Sequence, residues 1–301
     1  MRWRGKRTSS NIDDRRSMRA PAMGRAGGGL LRFLPVVLRF LGFKGTAVVA
    51  VGIIGYGLLT GNLGTMLSAL GLQQPVAPGS SSQPVKQTAE EKELVNFVSV
   101  ILADTEDTWR GLFSKRGMQY REPGLVLFRG AVKSACGTAQ SAMGPFYCPA
   151  DQKVYIDLGF YDELKNRFKA PGDFAQAYVI AHEIGHHIQT LTGISGRVQA
   201  ERRKLGEVEA NRLSVKQELQ ADCLAGVWAY YAHNQRQMLE DGDLEEGLRA
   251  ASAIGDDNIQ KQSRGYVTPD SFTHGSSSQR VKWFRTGFDS GDMQRCDTFS
   301  E

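Results

Sequence analysis

The chain has 301 residues, a net charge of +5 and 41% hydrophobic residues, enough for one sizeable domain with an appended segment. The charge is uneven. Residues 1–44 hold eleven Lys or Arg against Asp13 and Asp14, leaving 26 basic and 30 acidic side chains for the remainder. A chain that is basic throughout is therefore excluded, and nucleic-acid binding is confined to the arm 1–44. It is disfavoured even there, because the charge ends where an apolar stretch begins.

Within the arm, "LLRFLPVVLRFLGFKG" alternates apolar runs with single basic residues. It reads either as lying on anionic headgroups or as a disordered juxtamembrane segment. From Gly45 to Leu72 no residue is charged, a length that suffices for a transmembrane helix, best placed at 46–67. The competing reading is a buried core helix. Arginines just ahead of the span predict a single-pass anchor. Its N-terminus would be cytoplasmic and the C-terminal bulk of the chain would lie outside the cytoplasm. Residues 73–89, rich in Pro, Ser and Gln, read as a flexible linker, with the folded domain spanning 90–301.

That domain opens on a helix in which Leu94, Phe97, Val98, Ile101, Leu102 and Trp109 recur at helical spacing. "GLVLFRG" and "KVYIDLGF" follow as two strands of a small sheet, separated by a loop between Cys136 and Cys148. "KVYIDL" reads as an edge strand of that sheet. Then the pattern turns helical. One helix lies in "APGDFAQAYVIAHEIGHHIQTLTG", opening at Pro171 and Asp173 and closing at Gly193. Further helical patterns cover about 197–235, with a break near Gly206, about 243–262, and a short stretch from Ser277 to Gly287. Helix, small sheet and helical bundle in that order predict an α+β fold behind an N-terminal transmembrane helix.

All four cysteines follow the apolar stretch, which fits disulfides on the non-cytoplasmic side. A local Cys136–Cys148 closure is favoured and leaves Cys223 for Cys296. No pair has C-x-x-C spacing, which argues against a thiolate zinc site.

The chemistry concentrates in "AHEIGHHIQT". His182 and His186, four residues apart on a helix, share one face and can bind one ion. Glu183 is turned by about 100°, so it is no ligand, but it can reach a water on the ion's open side and take its proton. A catalytic zinc needs a third protein ligand, and "QELQADCLAG" supplies Glu218 on a later helix. Asp222, one turn on, is placed to accept a hydrogen bond from the far ring nitrogen of a ligand histidine. Leu219, Cys223, Leu224, Val227 and Trp228 make that helix section a buried one, where carboxylates need partners.

H-E-x-x-H followed by E-x-x-x-D resembles the glutamate-type zinc metallopeptidases. Together with "DSFTHGSSSQR" and the basic N-terminus it is more similar still to the bacterial YpfJ-like neutral zinc metallopeptidases, over nearly the whole chain. The resemblance implies a zincin-like domain and one Zn²⁺ at His182, His186 and Glu218. It also implies Glu183 as general base and a peptide or protein substrate, which would pair in extended form with the free backbone groups of the "KVYIDL" edge. His187 points off the ligand face and reads as structural. His274, in a Ser/Gly loop, is a candidate donor to the oxyanion of a tetrahedral intermediate, or else merely packs beside a capped helix; Arg280 is a weaker candidate for the same task. The leading expectation is a membrane-anchored zinc metalloendopeptidase, which the resemblance places in the bacterial inner membrane with its catalytic domain periplasmic or otherwise extracytoplasmic. Its rival is a zinc-stabilised scaffold or binding protein whose peptidase centre is idle.

Overall fold

The computed structural model describes residues 1–18 and 87–300. The rest of the arm, the expected span 45–72 and the linker up to residue 86 lie outside the described residues. Among the described residues no helix is long and apolar enough to cross a membrane.

Residues 1–18, expected to belong to an arm outside the domain, are part of the same unit as 87–300. The reason is local chemistry. Met1 and Trp3 are buried, with Trp3 edge-on to Phe97 at 5.3 Å. Arg7 reaches the buried Glu106 at 3.0 Å, and Ser9 donates to the same carboxylate at 2.5 Å. Strand β1 (Ile12–Asp14) then pairs in parallel with β2 (Gly124–Phe128), Ile12 opposite Leu125.

Helix α1 (Ala89–Ser114) starts where Thr88 and Glu91 form a reciprocal capping box, which satisfies two otherwise open backbone donors. Its buried face includes Phe97, Ile101, Leu102 and Trp109, as the spacing predicts. Asp104 on the same helix accepts from Trp228 at 2.8 Å and from Arg236 at 2.5 Å. The hairpin β3 (Ala131–Ser134) and β4 (Gly137–Gln140) leads to β5 (Phe146–Cys148) and β6 (Lys153–Asp157).

The main sheet has the order β1-β2-β6-β5, with β2 parallel to β6 and β5 antiparallel to it. Strands β2 and β6 carry unbroken apolar runs because both faces are covered. The expectation that "KVYIDL" forms an edge is corrected: β2 and β5 flank β6 on both sides, and the edges are β1 and β5. Both expected disulfides, Cys136–Cys148 and Cys223–Cys296, are present.

Helices α2 (Gly159–Asn166), α3 (Asp173–Leu191), α4 (Ile194–Arg202), α5 (Glu207–Asn234), α6 (Asp243–Ala253), α7 (Asp256–Arg264) and α8 (Ser277–Ser290) complete the unit. The mixed α+β class is as expected. Glycines set two close helix crossings. A Cβ on Gly226 of α5 would lie 2.0 Å from the Phe284 carbonyl of α8, and one on Gly287 1.9 Å from the Cys223 carbonyl. A Cβ on Gly185 of α3 would meet the Ala221 carbonyl of α5 at 2.9 Å. The second crossing brings the two motif-bearing helices into backbone contact.

Candidate metal centre

Gly185 sits one residue before His186, and Ala221 one residue before Asp222. Their close contact turns His182, Glu183 and His186 of α3 toward Glu218 and Asp222 of α5. His182 and Glu183 are buried, and Asp222 is fully so. Glu218 Oε2 lies 3.1 Å from His182 Nε2 and 3.4 Å from His186 Nε2. One ligand atom from each of the three residues falls within 4.8 Å of the other two.

Each histidine has its other ring nitrogen held. His182 Nδ1 donates to Asp222 Oδ1 at 2.9 Å, and His186 Nδ1 to Gln189 Oε1 at 2.9 Å. The buried Gln189 is itself fixed, its amide donating to the Gln217 carbonyl at 2.7 Å and to Gln220 at 3.1 Å. Both imidazoles therefore present Nε2 toward Glu218. Two imidazole nitrogens and one carboxylate form a donor set suited to a catalytic zinc, with orienting acceptors behind the histidines. The residues fit the ion.

Asp222 is the hub of a buried network. Besides His182 it accepts from Tyr178 at 2.5 Å and from Arg280 at 2.8 Å and 2.9 Å. Burial works against its charge, but Arg280 and His182 beside it hold the Asp222 carboxyl at about 2. Burial opposes the Glu218 carboxylate too, while His186 and His182 keep it well below the usual carboxylate range. Glu183 is different. Burial pushes its carboxyl upward, against the pull of His182 and His186.

The centre opens into a cavity of about 520 Å³. His182, Glu183, His186, Glu218, His274 and Arg280 are among the residues that line it, together with apolar and aromatic side chains such as Phe146, Tyr147 and Phe160. His274 thus shares the cavity with the ligand set. Its Nδ1 lies 3.3 Å from Asp256, whose carboxylate also accepts from the backbone of Thr273, His274 and Gly275. Arg280, weighed from sequence as an oxyanion donor, has Nε and Nη2 turned onto Asp222 and Nη1 on the Ile254 carbonyl at 3.2 Å.

His187 points elsewhere. It is fully buried, with Nε2 donating to the Arg121 carbonyl at 2.6 Å and Nδ1 facing the Tyr147 hydroxyl at 3.0 Å. Burial lowers its imidazole to about 4, so it stays neutral. Sequence reasoning missed Tyr178, Gln189 and Asp256. Gln189 lies three residues after His186 on one helical face, a spacing that could have flagged it. A second cluster of acids, Asp173, Asp243 and Glu246, sits near the start of α3. The Met1 amino group lies 3.1 Å from Asp173 and 3.3 Å from Asp243 there.

The chain is similar to "Uncharacterized protein YpfJ" of Escherichia coli (strain K12), 49% identical over 302 residues that span all of this chain and 99% of that relative. It is 42% identical over 236 residues to "Uncharacterized protein Mb2605" of Mycobacterium bovis, spanning 75% of this chain and 78% of the relative. "Uncharacterized protein Rv2575" of Mycobacterium tuberculosis matches to the same extent, at 42% over 236 residues. No solved structure matches. The family model described as "Putative neutral zinc metallopeptidase" matches residues 1–299, and with two histidines and a glutamate converging as zinc donors, the chain belongs to that family.

Proposed function

We propose that this protein is a zinc-dependent metalloendopeptidase attached to a membrane. The observation that carries the reading is the convergence of His182, His186 and Glu218 with Glu183 beside them at an open cavity. His182, His186 and Glu218 hold the zinc, which when bound supplies Lewis-acid polarisation of a peptide carbonyl and a more acidic water. Glu183 takes the proton of the attacking water and returns it to the leaving amine. Burial shifts its carboxyl upward, the direction that strengthens it as a proton acceptor.

Asp222, held by Arg280 and Tyr178, keeps His182 in the tautomer that offers Nε2. His274, anchored through Asp256, donates to the carbonyl oxygen as negative charge grows on it. Strand β5 is the sheet edge whose Phe146 and Tyr147 line the cavity, and an extended substrate pairs with it. A strand-like pairing engages backbone on either side of the scissile bond, which favours internal bonds. Membrane attachment rests on the charge-free stretch 45–72.

The test is zinc content and peptide-library cleavage for wild type and Glu183→Gln. The variant should keep zinc and lose cleavage by three or more orders of magnitude. Cleavage at the wild-type rate would remove Glu183 from the mechanism. A zinc-loaded wild type that cuts no peptide would instead favour an idle centre.

A further inference from the structure

A single crossing by the stretch 45–72 would place the N-terminal residues and the metal centre on opposite sides of a bilayer. The described residues do not accommodate that arrangement. Segment 1–18 is built into the unit that carries the centre. Strand β1 extends the sheet beside β2, with Leu125 N–H donating to the Asn11 carbonyl at 2.8 Å and Arg15 N–H to the Leu127 carbonyl at 2.8 Å. Trp3 and Met1 fill part of the main core. Glu106, 1% exposed, receives hydrogen bonds from Arg7, Ser9 and Asn11, all three from this segment. With the segment elsewhere, the β2 edge would be bare and Glu106 would lose all three donors.

The same contacts change the charge argument. Positive residues orient a span when they are free to stay with the cytoplasmic face. Arg2 pairs with Glu240, Arg4 with Glu93, and Arg7 with Glu106 and Asp107. Arg15 and Arg16 pair with Asp13 and Asp14, and Lys6 donates to the Arg236 carbonyl at 3.1 Å. Six of the eleven basic residues of 1–44 are thus engaged within the folded unit, and none of the six is among the arginines just ahead of the apolar stretch. Arg16 also lies 3.9 Å from Glu91, three residues past the Thr88 cap, which ties the end of this segment to the start of α1.

We propose that residues 1–18 lie on the same side of any membrane as residues 87–300. This inference is independent of the peptidase reading. It is tested on the full-length chain in intact spheroplasts and in inverted vesicles. Arg4→Cys and Arg212→Cys, at side chains 72% and 68% exposed, are each treated with a membrane-impermeant maleimide. Labelled peptides are then identified by mass spectrometry. Both positions should label from the same face. Labelling from opposite faces overturns the proposal. A second measurement uses Arg4→Cys with Glu93→Cys, side chains that form an ion pair. A short bis-maleimide applied to membranes should link residues 4 and 93 within one chain. Absence of that link, where each single variant labels fully, overturns the docking on which the proposal stands.

Discussion

Replacing Asp222 with Asn tests whether the buried network serves the metal or only the fold. Asp222 is fully buried and accepts four hydrogen bonds, one from His182, one from Tyr178 and two from Arg280. An amide keeps one acceptor oxygen, presents a donor where Arg280 or His182 also donates, and carries no charge. Arg280, 2% exposed, would retain the Ile254 carbonyl and the Tyr178 hydroxyl as partners but no counter-ion. Leaving one member of a buried pair uncompensated costs about 3–5 kcal/mol. Losing the acceptor behind a ligand histidine weakens metal binding by about 10–100-fold, or about 1.4–2.8 kcal/mol.

The two effects separate experimentally. Zinc affinity is measured by chelator competition on the stripped protein, and stability by melting with zinc saturating and with chelator present. Asp222→Asn should lose on both measures. Adding Arg280→Met removes the orphaned charge, so the double variant should recover stability without recovering zinc affinity. A zinc affinity within threefold of wild type for Asp222→Asn would refute the orienting role, leaving Asp222 only as the counter-ion of Arg280.

Three further outcomes follow from the geometry. Gly185→Ala forces its new methyl against the Ala221 carbonyl and should cost about 1–3 kcal/mol of stability while weakening zinc binding, because α3 must move from α5; unchanged melting and affinity would show that the contact relaxes freely. His187, neutral because burial holds it at about 4, binds its proton more readily when unfolded, at its ordinary 6.5. Its contribution is present above pH 6.5 and is lost as pH falls through 4, a difference of about 3 kcal/mol. Melting curves of wild type and His187→Gln should therefore diverge in acid-sensitivity across that window, and parallel curves would contradict the assignment. His274→Ala, at a side chain 54% exposed, should leave zinc content and melting intact and lower kcat by about 10²–10³; an unchanged kcat would return His274 to a packing role.

Much of this centre was legible because its chemistry is periodic. His182 and His186 recur at one helical turn, as do Glu218 and Asp222, and the α3 helix found at Asp173–Leu191 lies inside the segment its start and stop residues marked. The disulfides were legible by elimination once the short loop was closed. What escaped was set by partners distant in sequence. Arg280 meets Asp222 across 58 residues with no spacing signal, and Tyr178, although one turn before His182, has its hydroxyl partner Asp222 44 residues away on another helix. Strand β1 reads as charged chain, "NIDDRR", and is a strand only because β2 offers an edge. Strand β5 has three residues and hid within the cysteine loop, which made β6 look like an edge. The pattern at 243–262 reads as one helix, but the chain breaks at Gly255, where a Cβ would strike the Ser277 backbone nitrogen at 2.5 Å.

The crossing at Gly226 and Gly287 has a mechanical meaning. With backbone carbonyls where side chains would otherwise stand, α5 and α8 have little room to slide past each other. Glu218, Asp222 and Arg280 therefore ride on one rigid piece, while His182, Glu183 and His186 ride on α3. An ion held by His182, His186 and Glu218 spans the seam between the two pieces and clamps it. Any strain that widens the seam would be felt as weaker metal binding before it was felt as unfolding. The affinity for zinc is then a gauge of how tightly the two halves of the bundle are held together.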